Sequence, residues 1–572
     1  MTGRSTSSNN TSRTEVLALL LILALAAGLR FAGIQFGKPY RYHPDEVKLV
    51  IQAGVLLDHF PHLTREAIFN IGTYPPFFTY LLAGLFGAYA GLGLLVGRYD
   101  SVAQAKLAYY TNPFQYHLIG RIVVALSGVA TVWLVFLLGR KLYGRRVASA
   151  SALVLAVLFL HVRNSHFATV DVPVTFLGFA AVAAALWYLE DGDIRKLWTG
   201  FALVGVAAAT KYQAGVALVP VGLAFFLRGS HDVRGLLRKL ASRQLWIGAG
   251  VFVLVFLITC PMPLVDWHEF VGGLRGTASF ESAGKVGTGG GFFSYILGGT
   301  SPGYGFFARN SMPESMGWIF TVLTVLGVFL FLVTRDRRDF LLAVLPVLSY
   351  LYLGHLNYKA MRHLLPLVPF FVLLVSRVLD VLVSTIFAKR WLRAVAFWVV
   401  VAAIVVPQFT LSLSLDRQLR HRETRTRAKD WVESHVAGGE SLAVEPNGPE
   451  LLRVEDPRKA EKLASGLYRR AYRLLDAEGD RRIKKSSQPI SRILREAGVR
   501  FVVVDSFTRG KYYWPHVLER YPEAAKRRQA FYAWLDREGE KLVTLRPQPG
   551  DDIWPVIWVY RIGAGDSTGV AD

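Results

Sequence analysis

From position 14 to 411 the chain alternates between long apolar runs and short polar breaks. The runs at 14–36, 118–139, 147–162, 171–189, 197–210, 213–228, 245–262, 315–334, 339–354, 363–386 and 393–411 approach the ~20 residues that cross a bilayer as a helix. Gly, Pro and charged residues separate them. The pattern predicts a mainly α, polytopic membrane domain of about eleven spans. Residues 1–13 are polar and predict a short disordered tail. Beyond 411 the pattern changes. Thr424–Val436 and Ile490–Ala497 read as amphipathic helices, while Ser441–Glu445, Val499–Asp505, Lys541–Leu545 and Trp554–Arg561 read as strands. Strands alternating with helices predict a small α/β domain over 412–572, with no internal repeat and no catalytic motif.

Charge orients this arrangement. The chain has 65 Lys and Arg against 42 Asp and Glu, and 52% of its residues are hydrophobic. Nucleic acid does not explain the excess: there is no basic stripe interleaved with aromatics and no zinc-ligand spacing. Most basic residues of the membrane domain lie in the short breaks Arg140–Arg146, Asp191–Lys196, Arg228–Arg243, Arg335–Arg338 and Lys389–Arg393. These are the cytoplasmic loops expected for a cytoplasmic N-terminus. Pro75–Gly97 is apolar enough to span, but a span there would put every later basic loop outside. It is therefore expected to lie in or dip into the outer interface, with Tyr74, Tyr80, Tyr89 and Tyr99 near headgroup level. The count of spans is then odd, and 412–572 is expected outside the cytoplasm of a multi-pass protein of the plasma or inner membrane. Ala24-Leu25-Ala26 could end a signal peptide, but the apolar run continues past it, which favours an uncleaved anchor. Cys260 is alone, so no intrachain disulfide forms.

The charges left on the outer side carry the candidate chemistry. His43-Pro44-Asp45-Glu46 opens the outer loop 37–117. Pro followed by two acids is what a helix first turn prefers, and two carboxylates at the mouth of a bundle also suit proton abstraction or cation binding. Tyr74-Pro75-Pro76 reads as a rigid turn or the wall of a lipid groove. Asp171 either caps a span or joins Asp45 and Glu46 in holding a divalent cation, Mg or Mn, through oxygen. Arg163 and His166 lie close in sequence as phosphate or acceptor contacts. Lys211 and Tyr212, Arg121, and Arg362 and His363 either snorkel to the headgroups or hold a lipid phosphate; His43 joins them as a substrate contact. A second outer loop, 263–314, is rich in Gly at Gly284–Gly291 and Gly298–Gly305 and fits a lid that orders on substrate. It has no phosphate-loop spacing.

These motifs, in this order, resemble the integral-membrane GT-C glycosyltransferases that use polyprenyl-phosphate sugars, the superfamily of protein O-mannosyltransferases and aminoarabinose transferases. The residues that carry the resemblance are Asp45-Glu46, Tyr74–Phe77, Arg121, Leu138–Gly144, Asp171, Ala209–Tyr212 and Arg362–Pro369, across roughly 14–410. The resemblance implies Asp45 as catalytic base, supported by Glu46 and Asp171 or by a metal they bind. It implies Lys211 and Arg362 as the hold on the lipid phosphate, with the lipid tail in a groove beside the interfacial helix. Metal use varies across the superfamily, so that point stays open. The acceptor would be protein, lipid or polysaccharide, with 412–572 the expected seat of acceptor choice. The rival readings are a transporter or flippase, against which the outer position of the acids and the lack of a repeat both count, and a non-catalytic membrane anchor.

Overall fold

The computed structural model describes residues 13–59, 75–229, 233–283, 303–356, 359–453, 469–478, 480, 483, 486–549, 551 and 553–563. Tyr74, Tyr358 and the glycines at 284–302 lie outside the described residues. All eleven expected spans are helical, as Arg13–Phe31, Phe114–Tyr143, Arg145–Val157 with Phe159–Asn164, Asp171–Asp191, Ile194–Ala208, Tyr212–Leu227, Arg243–Thr259, Trp318–Thr334, Arg337–Gly354, Met361–Ile386 and Arg390–Arg420. Among the described residues, 7 helices are long and apolar enough to cross a membrane, and Phe77–Leu95 is one of them. The chain is thus a multi-pass membrane protein. The centre of the bundle is built from Arg145–Val157, Asp171–Asp191 and Val368–Ile386, whose walls of Ala, Val and Phe are almost wholly buried.

One helix is interrupted, and the interruption is fully bonded. Leu158 is extended, ending Arg145–Val157 before the chain resumes as Phe159–Asn164. A helix end inside apolar surroundings leaves carbonyls without partners, at several kcal/mol each. Arg30, completely buried, supplies the missing donors. It bonds Ala156 O at 2.9 Å and Leu155 O at 3.1 Å. Ser412 Oγ donates to Val157 O at 2.9 Å, and the Phe159 N–H is taken by Gln408 Oε1 at 3.0 Å. Position 128 must be glycine for Arg30 to reach: a Cβ there would sit 2.8 Å from Arg30 Nε.

One other feature differs from expectation. The segment expected as a loop from 263 begins as helix, Met262–Val265 and Trp267–Ala283. Asp266 Oδ1 accepts the Glu269 N–H at 2.9 Å, the capping geometry that starts the second helix. Phe77–Leu95 packs its Phe78, Leu82 and Phe86 against Leu49, Val50 and Ala53 of the Pro44–Asp58 helix.

The C-terminal unit is a three-layer α/β domain. Its strands are β1 (Ser441–Val444), β2 (Leu452–Arg453), β3 (Ala471–Asp476), β4 (Phe501–Asp505), β5 (Glu540–Leu545) and β6 (Ile557–Arg561), in the order β2-β3-β1-β4-β6-β5. The first four are parallel, and β6 runs antiparallel to β4 and β5. All five residues of β4 are buried, as a central strand covered on both faces requires. Phe501 and Val503 meet Ala428 and Val432 of the Thr424–His435 helix on one face; Val502 and Val504 meet Leu494, Tyr532 and Leu535 on the other. Sequence pattern missed β2, β3 and the helices Pro515–Arg520 and Pro522–Glu538.

Where β1 and β4 end, Glu445 accepts the Asp505 N–H at 2.8 Å and the Tyr532 hydroxyl at 2.6 Å. Burial, reinforced by the Asp505 charge, pushes its carboxyl from 4.5 to about 8, against the opposing hydrogen bonds. Within that window the folded protein keeps a proton that the unfolded chain releases, so stability falls as pH rises from 4.5 towards 8. Replacing Glu445 with Gln should flatten this dependence and raise the unfolding midpoint at pH about 8. Thermal unfolding of both full-length proteins in detergent across this range tests it; equal slopes would exclude Glu445 as the titrating group.

Candidate active site

The two acids of the outer motif part company. Pro44 begins the Pro44–Asp58 helix, so Asp45 and Glu46 follow in its first turn. Neighbours in an α-helix point about 100° apart, and here one turns inward and the other outward. Glu46 is fully buried and receives Arg121 in a two-pronged pair, Nε to Oε1 and Nη2 to Oε2, each at 2.9 Å. Glu46 Oε1 also accepts the Ala168 N–H at 2.7 Å. Arg121 is equally buried; its Nη1 bonds the carbonyls of Ile34 and Phe36, both at 2.9 Å, and its guanidinium lies 3.7 Å from the centre of the Phe36 ring. Burial alone would raise the Glu46 carboxyl; the Arg121 charge and hydrogen bonds more than offset it and hold it below its ordinary value. Both side chains are buried and bonded to each other, an arrangement that suits a structural clasp more than the expected roles of Glu46 in catalysis and Arg121 in phosphate binding.

His166 is scaffold too. Its Nδ1 faces Val162 O at 3.0 Å and its Nε2 faces Ala32 O at 2.8 Å, with Asp416 at 3.4 Å, all with the imidazole fully buried. These partners take both ring nitrogens of a residue expected to contact phosphate or acceptor.

The remaining candidates gather. Asp45 accepts Arg362 Nη1 at 2.7 Å, and Asp171 accepts Lys211 Nζ at 2.9 Å. Asp45 and Arg362 keep 28% and 21% of their side chains exposed, enough for a ligand to reach them. Arg362 joins the two pairs into one field, since it also acts electrostatically on Asp171, His43, Arg163 and His363. His43 stacks on Phe167 with ring centres 4.3 Å apart. Burial lowers its imidazole below the ordinary value, Arg362 and Arg163 add to this, and Glu46 and Asp45 oppose it. Arg163 lies 5.7 Å from the same Phe167 ring.

Local unwinding places the basic members. Lys211 and Tyr212 stand where Ile194–Ala208 gives way to the 3-10 turn Tyr212–Ala217, and Arg362 and His363 stand in the 3-10 turn Met361–Leu367. Each turn leads into a span and faces the site with the positive end of that helix.

Beside the cluster lies a cavity of about 530 Å³. Val174, Val216, Leu345, Leu353, Leu356 and Pro366 make its walls apolar, while Lys211, Tyr212 and His363 line it from the polar side. The cavity lies between Asp171–Asp191, Tyr212–Leu227 and Arg337–Gly354. Pattern missed Gln213, Ser349 and Tyr352 on this wall; the only signal for the last two is polarity within the otherwise apolar Arg337–Gly354.

The expected cation site of Asp45, Glu46 and Asp171 does not assemble. Each carboxylate has its own basic partner. Among the described residues no group of three or more His, Cys, Asp or Glu is placed to hold a metal ion. The described residues gather no carboxylate set that suits a divalent cation.

Residues 117–261 match the family model for dolichyl-phosphate-mannose-protein mannosyltransferase. An uncharacterized protein of Aquifex aeolicus is 36% identical over 106 residues, a match spanning 18% of this chain and 20% of that protein. The oligosaccharyltransferase of Archaeoglobus fulgidus, solved tethered to an acceptor peptide containing the NVT sequon, superposes with a TM-score of 0.52 at 12% identity, over 93% of this chain and 73% of that one. ArnT from Cupriavidus metallidurans, solved bound to undecaprenyl phosphate, is similar over 96% of this chain and 98% of its own at 13% identity and a TM-score of 0.47.

The buried clasp makes a direct prediction. Replacing Arg121 with Met strands the Glu46 charge and should cost about 3–5 kcal/mol of stability. The double variant Glu46→Gln/Arg121→Met should recover much of it. Thermal unfolding in detergent reads both; a stable Arg121→Met alone would refute the clasp. By its fold, then, this chain is similar to the Archaeoglobus fulgidus oligosaccharyltransferase, and its segment 117–261 matches the dolichyl-phosphate-mannose-protein mannosyltransferase model.

Proposed function

We propose that the protein transfers a sugar from a polyprenyl-phosphate donor to an acceptor hydroxyl, outside the cytoplasm, with Asp45 as general base. What supports the reading is the joining of an apolar cavity to a cluster of basic side chains that leaves one carboxylate partly open. The cavity suits an isoprenoid tail, and Lys211 with Arg362 suits the phosphate.

In this mechanism the donor phosphate enters beside Lys211 and Arg362. It competes with Asp45 for Arg362, and Asp45 becomes a freer base as the pair loosens. Asp45 takes the acceptor proton while the acceptor oxygen attacks the anomeric carbon. The bond from that carbon to the phosphate oxygen breaks, and polyprenyl phosphate leaves with the electron pair. Lys211 and Arg362 stabilise the growing negative charge. A single displacement inverts the anomeric centre and needs no second carboxylate. No metal enters any step.

Two variants test this. Asp45→Asn should lower turnover by about 10²–10⁴-fold. Lys211→Ala should lower kcat/KM for the donor by about 10–100-fold, as loss of a charged hydrogen bond that strengthens in the transition state does. The assay incubates purified protein with labelled polyprenyl-phosphate sugars and a cell-envelope extract. Near wild-type transfer by Asp45→Asn would refute the assignment. If the wild type bound these lipids but consumed none, a transporter or flippase would be the better reading.

A further inference from the structure

The C-terminal domain does not merely hang from the last span. It holds the strand of backbone that delivers Asp45. After Phe31 the chain leaves its helix and runs through turns as far as His43. Turns alone fix a backbone poorly, so what else bonds it decides where the next helix begins. Two residues of the C-terminal unit do so. Glu450 accepts the Arg41 backbone N–H at 2.8 Å and takes the Arg41 guanidinium in a two-pronged pair at 3.0 and 2.6 Å. Arg425 donates to the Tyr42 carbonyl at 3.1 Å and lies 4.4 Å from the centre of the Tyr42 ring. Thr426 donates to the Tyr42 hydroxyl at 3.2 Å. Arg425 is itself held by the buried Glu423.

These contacts reach main-chain atoms, not only side chains. On the other side of Asp45, Glu46 is locked to Arg121 and Ala168. Asp45 therefore stands between two anchors: one belongs to the membrane domain, the other to the C-terminal domain. Its carboxylate, more than a quarter exposed, owes its position to both.

We propose that Arg425 and Glu450 are positioning residues for Asp45, so that the C-terminal domain sets the placement of the base. The proposal rests on Asp45 as the base, and its test separates the two ideas.

The first measurement needs no turnover. The chain's one cysteine, Cys260, is buried, so Asp45→Cys introduces a distinct reactive thiol. Its alkylation by a small charged maleimide is timed in the full-length protein in detergent, alone and combined with Arg425→Ala or Glu450→Ala. If the two residues position this site, each should change the rate by about fivefold or more, since exposure and nearby charge govern thiol reactivity. An unchanged rate in both would overturn the proposal, whatever the protein's activity.

The second measurement is kinetic. Arg425→Ala and Glu450→Ala should lower kcat by about tenfold or more with donor KM within about twofold, as misplacement of a catalytic group does. In an Asp45→Asn background they should cause no further loss, because residues acting through one group are not additive. An equal loss in both backgrounds would mean the contacts serve stability alone, and the positioning role would fall. Absence of donor consumption by the wild type would instead refute the transfer reading, leaving the thiol measurement to decide positioning.

Discussion

The end of the bundle that carries Asp45 is organised by one buried ion pair. A carboxylate and a guanidinium taken out of water each cost several kcal/mol, and their attraction repays this only when the remaining hydrogen-bonding positions are filled. Between Glu46 and Arg121 the principal ones are filled. The Ala168 N–H takes the spare capacity of the carboxylate, and the carbonyls of Ile34 and Phe36 take the third guanidinium nitrogen. The pair therefore binds together the turn after the first span, the start of the Pro44–Asp58 helix, the Phe114–Tyr143 span and the loop that leads to Asp171. Asp45 can face the site because its neighbour faces the core.

That division was only half legible in the sequence. Two adjacent acids announce an unusual loop, but residue types alone do not say which of two neighbours turns inward; the Arg that decides it lies 75 positions away. His166 was lost for the same reason, since its partners Ala32 and Asp416 are remote in sequence. Lys211, Arg362 and Asp171 were legible because each is a charge stranded beside an apolar run, where membrane energetics make charges rare. Their pairing was not, because it depends on how the spans pack. In the C-terminal domain β4 stood out as a five-residue buried run, whereas β2 spans two residues and β3 alternates apolar residues with charge in a way that a loop also can. The helix Pro522–Glu538 carried a start signal, Pro with an acid in its first turn, beneath a surface dense in charge.

The basic side chains of the site share a structural origin. Arg163 follows the interruption at Leu158, Lys211 precedes one 3-10 turn and Arg362 lies in another. An unbroken span would place its ends wherever its length dictated. A short unwound stretch lets a span end early and present polar groups into a shared space, provided the freed backbone groups find partners. Arg30, Ser412 and Gln408 meet that condition at Leu158 from two different helices.

Arg30 carries a consequence for how the chain is made. It belongs to the Arg13–Phe31 helix, yet two of the carbonyls it bonds lie about 125 residues later. Until the Arg145–Val157 segment has been translated and inserted, this cation has only its own helix, at Ala26, and the lipid headgroups to satisfy it. Its place near the outer end of the first span lets it wait at the interface. Its final partners exist only once that later segment is in place, so this part of the bundle closes across about 125 residues of sequence.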